Sequence, residues 1–486
     1  MTPPPTRRGS PRPRSRARAT ASVDPPRRAA YQTLRAVVER DSYANLVLPG
    51  LLRRAGLRGR DAAFATELAY GALRWRGSYD AVIAACARRP VTEIDPPLLD
   101  VLRLGAHQLL ATRVPAHAAV AATVDLARAE LGGAPAGFAN AVLRAMSGRD
   151  LDGWLAEVAP DADTAPDDHL AVTTSHPAWV VRALRDALRS AGRDPGELPA
   201  LLEADNERPR VSVAALPGLA EPADLVAAGA EPGVASPVGV RLAGAPEDLP
   251  PVAQGRARVQ DEGSQLVTLA VAAAPLVGPD GGRWLDLCAG PGGKAALLGA
   301  VLAQRRTAGG LPTDARLLAV ESAEHRVGLV RSAVRVLSGV VEVRHGDGRE
   351  VGTLEPEAFD RVLVDVPCTG LGALRRRPEA RWRRSPRDLA ALAPLQRALL
   401  ASALDAVRPG GVVGYVTCSP HPAETRMAVD DVLRRRGDVQ RLDARRALAE
   451  AAAGAVTDLG PGPDVQLWPH RHGTDAMYLA LLRRTG

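Results

Sequence analysis

At 486 residues the chain is long enough for two or three domains, so core size does not limit it. Hydrophobic residues make up 46% and charged residues 24%, as in an ordinary soluble globular protein. No run approaches the ~20 apolar residues of a membrane span, so no membrane partner is expected. The net charge is +7, and residues 1–28, with eight arginines against Asp24, supply all of it; the folded body is near neutral.

The tail over 1–28 is poor in apolar residues and rich in Pro, Arg, Ser and Ala, so it cannot offset its ordering entropy and is expected to be disordered. It would either strengthen RNA binding through phosphates or serve only as a solubilising extension. It lacks the apolar segment of a secretory signal, and export is not expected. The four cysteines, Cys86, Cys288, Cys368 and Cys418, show no Cys-x-x-Cys spacing and read as reduced thiols of a cytoplasmic protein. A single lysine, Lys294, stands among 61 arginines.

From Arg27 to about Met146 the apolar period is helical. Ala30, Leu34, Val37 and Val38 fall on one face, and similar stripes follow over 61–73, 98–110 and 118–131. An all-helical domain is expected over 29–148. Residues 149–262 read as a small mixed connector, with helical patches at 176–189 and 198–204, a short strand at 210–214, and Pro/Gly-rich text to Pro251. From 263 to the end strands and helices alternate. Strands are expected at 284–287, 317–320, 341–344, 361–364 and 412–416, with helices at 293–302, 323–337 and 389–407 between them. That rhythm predicts a doubly wound parallel sheet, whose ligands bind at the carboxyl ends of its strands. The last candidate, 477–482, suits an added antiparallel edge strand.

The first strand-to-helix turn reads Asp286-Leu-Cys-Ala-Gly290-Pro-Gly-Gly293-Lys294. Glycines let backbone approach a ligand closely, and a helix N-terminus offers free amides. The turn is neither G-x-G-x-x-G nor G-x-x-x-x-G-K-[ST], which disfavours nicotinamide cofactors and nucleoside triphosphates. Glu321 at the second strand end suits ribose hydroxyls, and Asp347 at the third suits an adenine amino group. This set, without a phosphate cradle, fits S-adenosylmethionine better than NAD.

Cys86 and Cys288 read as structural. Cys368, three residues after Asp365, and Cys418 both lie at expected carboxyl ends of strands, where the ligand crevice forms. Two thiols beside a methyl donor suggest pyrimidine C5 chemistry. C5 of cytosine becomes nucleophilic only after a thiolate adds to C6, and a base must then remove the C5 proton before the thiol can leave. Asp365 is placed to hold the N3 edge of the ring. Which cysteine attacks is open on these grounds. Between them, Arg375–Arg387 holds seven arginines and one acid, with Trp382 interleaved. Arg375, Arg376, Arg377, Arg381, Trp382, Arg383 and Arg384 read as RNA backbone and base-stacking contacts. The single close Cys/His pair, Cys418 and His421, does not make a metal site, and none is expected.

These residues carry a resemblance to the bacterial RsmB (Sun/Fmu) family of 16S rRNA cytosine-C5 methyltransferases. It rests on Val259-Gln-Asp-Glu, the Asp286–Lys294 turn, Asp347-Gly-Arg, Asp365-Val-Pro-Cys368, Leu374-Arg-Arg-Arg-Pro378, Arg381-Trp-Arg, Thr417-Cys-Ser419 and Gly473-Thr-Asp475. Over 102–109, 115–120 and 137–144 the N-terminal region is similar to NusB-type RNA-binding domains. The resemblance implies an all-α NusB-like domain plus an α/β Rossmann-like class I methyltransferase domain, acting on small-subunit ribosomal RNA. The chain is expected to be a monomer. It implies Cys418 as nucleophile and Cys368 as the residue assisting proton removal and release. S-adenosyl-L-methionine contacts are implied from Cys288, Ala289, Gly290, Pro291, Gly292, Gly293 and Lys294, and from Glu321, Asp347 and Asp365. The chain departs from the family's pattern at Ala295, Thr425 and Ala476-Met477, where a Thr, an Asn and a Gly-aromatic pair are usual. The rival expectations are the same chemistry on tRNA or 23S rRNA, and a non-catalytic RNA-binding or antitermination factor.

Overall fold

The computed structural model describes residues 23–40 and 42–486. The expected disorder of the tail therefore falls, up to residue 22, outside the described residues. Its last residues are helical: Asp24 caps the first helix, Pro25–Glu39, by accepting the Arg27 amide, and two prolines occupy the first turn, where their missing N–H groups cost nothing.

The chain forms two compact units. The first, within residues 1–72 and 79–154, is built of helices among the described residues, from Pro25–Glu39 to Gly133–Met146. Leu34, Leu68, Ile83, Leu102, Leu104 and Leu126 are fully buried in it, each worth about 1.5–3 kcal/mol. Arg103 is buried too, held between Asp80 and Asp100 at 2.7 and 2.9 Å. Val38 departs from its expected stripe: at 46% exposure it sits one residue from the helix end, beyond the core.

The second unit comprises Leu73–Ser78 and Leu155–Gly486. Its early part holds more structure than the connector text foretells. Helices Ala178–Ser190 and Leu198–Asn206 bury Val181, Leu184, Leu188 and Leu202 against Leu371, Leu374 and Trp468. A four-stranded antiparallel sheet follows, of β1 (Val211–Ala215), β2 (Glu231–Pro232), β3 (Gly239–Leu242) and β4 (Ala257–Val259), in the order β2-β3-β1-β4. Only β1 carried a visible strand pattern; the others are too short to show a period.

The large sheet contains β5 (Arg283–Asp286), β6 (Arg316–Glu321), β7 (Val341–His345), β8 (Phe359–Asp365), β9 (Val407–Thr417), β10 (Val439–Leu442), β11 (Val465–Gln466) and β12 (Tyr478–Arg484). The order is β10-β12-β9-β8-β5-β6-β7, with β11 also pairing β12. Strands β5 to β9 run parallel, buried on both faces by helices such as Gly293–Thr307 and Pro386–Ala406. β12 runs antiparallel to β9 as expected, but it is not the edge, because β10 pairs along its outer side.

Strand order reverses between β5 and β8, which opens the crevice there at the carboxyl ends. The amino ends of the same strands are tied by ion pairs, Arg361–Asp280 at 2.8 Å and Arg408–Asp360 at 2.6 Å. Arg361 also donates to the Val271 and Ala274 carbonyls. Among the described residues no helix is long and apolar enough to cross a membrane.

Candidate active site

The turn after β5 is sewn to both neighbouring strands, since the Leu287 amide donates to Leu363 of β8 and the Ala289 amide to Val320 of β6, each at 2.9 Å. Glycine is required at two places. Gly292 has φ +107° and caps helix Gly293–Thr307, and a Cβ on Gly290 would lie 2.1 Å from the Glu321 carboxylate. Glu321, buried at the end of β6, accepts the Gly290 amide at 3.0 Å and the Ala323 amide at 2.9 Å. The open backbone at Gly290, beside a buried acid at a strand end, fits a nucleoside whose hydroxyls need acceptors.

Lys294, in the first turn of that helix, reaches across the crevice to Asp365 at the end of β8, with Nζ 2.7 Å from Oδ2. Burial works against its charge, but Asp365, Cys418 and Asp286 together hold the ammonium more firmly than usual. Asp286 itself is fully buried, and burial, then the charge of Asp365, pushes its carboxyl up to about 7. Asp347 follows β7, but its carboxylate is gripped by the Arg349 guanidinium and backbone amide. Cys288 packs beside the core of Leu287 and Val320, and burial followed by repulsion from Asp286, Asp365 and Glu321 pushes its thiol well up. Cys86, in the first unit, is pushed up to about 11 by burial. Arg326 near Cys288 and Arg149 near Cys86 oppose this rise without overcoming burial, so neither thiol is primed to react.

The ends of β8 and β9 bring Cys368 and Cys418 together, with Sγ atoms 3.4 Å apart and each side chain partly exposed. The two thiols are not equivalent. The hydrogen bond from Cys368, with Arg377 and Lys294 nearby, holds Cys418 below the usual thiol range despite burial. Cys368 is pushed well up by that same bond, by burial, and by the charges of Cys418 and Glu424. Of the two, Cys418 gives up its proton first, which makes it the better nucleophile.

Part of the arginine run is turned inward, which corrects the expectation that all of it faces RNA. Arg381 is fully buried, and its guanidinium donates to the Asp205 and Ser175 carbonyls and to Asn206 at 2.7, 3.1 and 2.7 Å. Burial pushes it down to about 9. Arg375 donates to the Gly473 carbonyl at 3.0 Å, and Arg376 grips Asp475 with two nitrogens. Trp382 stacks beneath the Arg76 guanidinium, 5.4 Å from its ring, and against Gly77, so that ring is not a free platform for a base. Arg384 pairs with Asp388 at 3.6 Å, Arg383 is half-buried, and Arg377 acts on Cys418. Sequence shows the charge of this run but not which guanidinium forks close on buried carbonyls. Arg381→Ala is expected to cost about 3 kcal/mol of stability, read as a lowered Tm, with RNA affinity within about twofold of the parent. A large loss of affinity at unchanged Tm would restore the RNA-contact role.

Sequence reasoning passed over a buried polar set behind the two cysteines. Glu424 accepts from the Thr369 amide at 2.8 Å, from the Thr369 hydroxyl, and from Gln396 at 3.1 Å. Asp261 and Asp475 meet where Arg375 and Arg376 converge, and burial, then Asp475, pushes Asp261 up to about 6. The signal available for Asp261 and Asp475 was their place in the motif segments 259–262 and 473–475.

A parallel sheet reversing between β5 and β8, with a glycine turn, acids and two thiols at its carboxyl edge, is the frame of a Rossmann-like methyltransferase. Comparison with known proteins agrees. The model of the 16S rRNA methyltransferase RsmB/F family matches residues 274–483, and the NusB family model matches residues 24–148. A Mycobacterium tuberculosis protein whose name places it among methyltransferases is 56% identical over 474 residues, covering 97% of this chain and 99% of its own. Ribosomal RNA small subunit methyltransferase B of Erwinia tasmaniensis is 31% identical, covering 93% and 97%. The crystal structure of PH0851 shares the fold with a TM-score of 0.75 at 19% identity, covering 95% and 99%. The chain belongs to the RsmB/F family of 16S rRNA methyltransferases.

Proposed function

We propose that the protein methylates C5 of a cytosine in 16S rRNA, with S-adenosyl-L-methionine as donor and a covalent bond from Cys418 to C6. The observation that carries this reading is the pair of thiols 3.4 Å apart, one beside cations and the other beside a carboxylate. In this reading residues 29–148 form an RNA-binding domain, 149–262 a connector and 263–486 the catalytic domain.

Glu321, Asp347 and the Cys288–Lys294 turn would hold the cofactor, which supplies an electrophilic methyl group at a sulfonium centre. The Cys418 thiolate adds to C6, and Asp365, fixed by Lys294, holds the N3 edge of the ring so that electron density gathers at C5. After C5 has gained its methyl group, its proton leaves with the assistance of Cys368. The C6–Sγ bond then breaks and the electron pair returns to Cys418.

The direct test is to incubate the protein with labelled S-adenosylmethionine and unmodified 16S rRNA, then digest to nucleosides. Label in 5-methylcytosine is expected; label in another nucleoside, or none, refutes the reading. Gly290→Ala adds a carbon against Glu321 and is expected to weaken S-adenosylmethionine binding about tenfold or more by calorimetry. An unchanged Kd would remove this turn from the cofactor site.

A further inference from the structure

A carboxylate fully buried beside two thiols is costly unless its oxygens are well supplied with donors. Glu424 is 1% exposed, at the end of the short turn Pro422–Glu424, six residues beyond Cys418. Its donors come from the other cysteine's loop. The Thr369 amide and hydroxyl, directly after Cys368, both point at it. Gln396, from helix Pro386–Ala406, bridges it to the Pro367 carbonyl, directly before Cys368, at 2.9 Å. Tyr415 of β9 fixes the turn in place by donating to the Glu424 carbonyl at 2.8 Å. The thiol-bearing residue is thus clamped on both sides by one side chain borne on the nucleophile's own loop.

We propose that Glu424 is a positioning residue for Cys368, holding backbone 367–369 so that the Cys368 sulfur stays at the reacting face of the base while Cys418 is bonded to it. The inference rests on Cys368 assisting removal of the C5 proton. The clamp matters most after methyl transfer. Until the adduct forms, the hydrogen bond to the Cys418 thiolate also holds the Cys368 sulfur in place. Once Cys418 carries the base as a thioether, that bond weakens and the Glu424 clamp remains. Cys368 must pass its own thiol proton to solvent before it can take the C5 proton, and the charge of Glu424 then makes its thiolate the stronger base.

The partial reactions separate this role from a merely structural one. With unmodified 16S rRNA and labelled S-adenosylmethionine, Glu424→Gln is expected to keep first-turnover methyl transfer within about threefold of the parent. Steady-state turnover should fall about tenfold or more, and a protein–RNA adduct should persist on denaturing gels, as for Cys368→Ala. Thr369→Ala, which removes one donor only, should shift the same balance less. If first turnover and steady state fall in parallel in both variants, or neither changes, Glu424 does not position Cys368. If Cys368→Ala leaves no adduct, the release role of Cys368 falls and this inference with it. An adduct in Cys368→Ala but not in either clamp variant overturns the inference alone.

Discussion

Cys418→Ala is expected to abolish methyl transfer to 16S rRNA, by about 10⁴-fold or more, with RNA binding and Tm unchanged. The size follows from the chemistry, because C5 gains no useful electron density until a nucleophile adds at C6, and nothing nearby replaces it. Cys368 is close enough in space, but its proton is held by burial and by the charges of Cys418 and Glu424. For Cys418 the hydrogen bond with Cys368, then Arg377 and Lys294, favour the thiolate against burial and the charge of Asp365. Because its pKa is lowered, adduct formation should persist below the pH at which an ordinary thiol is protonated, and should fail only as pH drops through that depressed value. Single-turnover kinetics with labelled S-adenosylmethionine measure both. Retained transfer in Cys418→Ala would mean that the two cysteines have exchanged roles.

Cys368→Ala should give the mirror result, a protein that adds to its substrate and does not let go. Methyl transfer in the first turnover is expected to survive, while release slows by about 10²-fold or more and a protein–RNA adduct accumulates. The thiol pair explains the asymmetry. Alanine at 368 removes the hydrogen bond that steadies the Cys418 thiolate, yet the cations remain. Once the adduct has formed, the missing sulfur is the one that, its own proton passed to solvent, takes the C5 proton on its way out. A variant that neither transfers nor accumulates adduct would assign Cys368 to addition instead of release.

The sequence made the catalytic end of this molecule more legible than its scaffold. Each cysteine follows an alternating βα pattern at a strand's end, so Cys368 and Cys418 could be placed at one sheet edge before any coordinates. Adjacency at one edge did not reveal a 3.4 Å contact, because register between β8 and β9 is set by packing across the whole sheet. Part of the arginine run was misjudged for a related reason. Whether a guanidinium faces water or a buried carbonyl depends on segments far away in the chain, such as Ser175 and Asn206 around Arg381. Strands β2, β3 and β4 went unseen because two to four residues among prolines and glycines give no period to read. Glu424 was hidden as a lone acid in turn text, where an exposed cap is the commoner outcome.

The large sheet divides its labour end to end. The amino ends of β5, β8 and β9 carry the Arg361–Asp280 and Arg408–Asp360 pairs and none of the groups assigned to chemistry. Ion pairing and the proposed chemistry therefore occupy opposite rims of the same scaffold. Breaking an ion pair on the first rim should lower Tm without moving the thiols of the second.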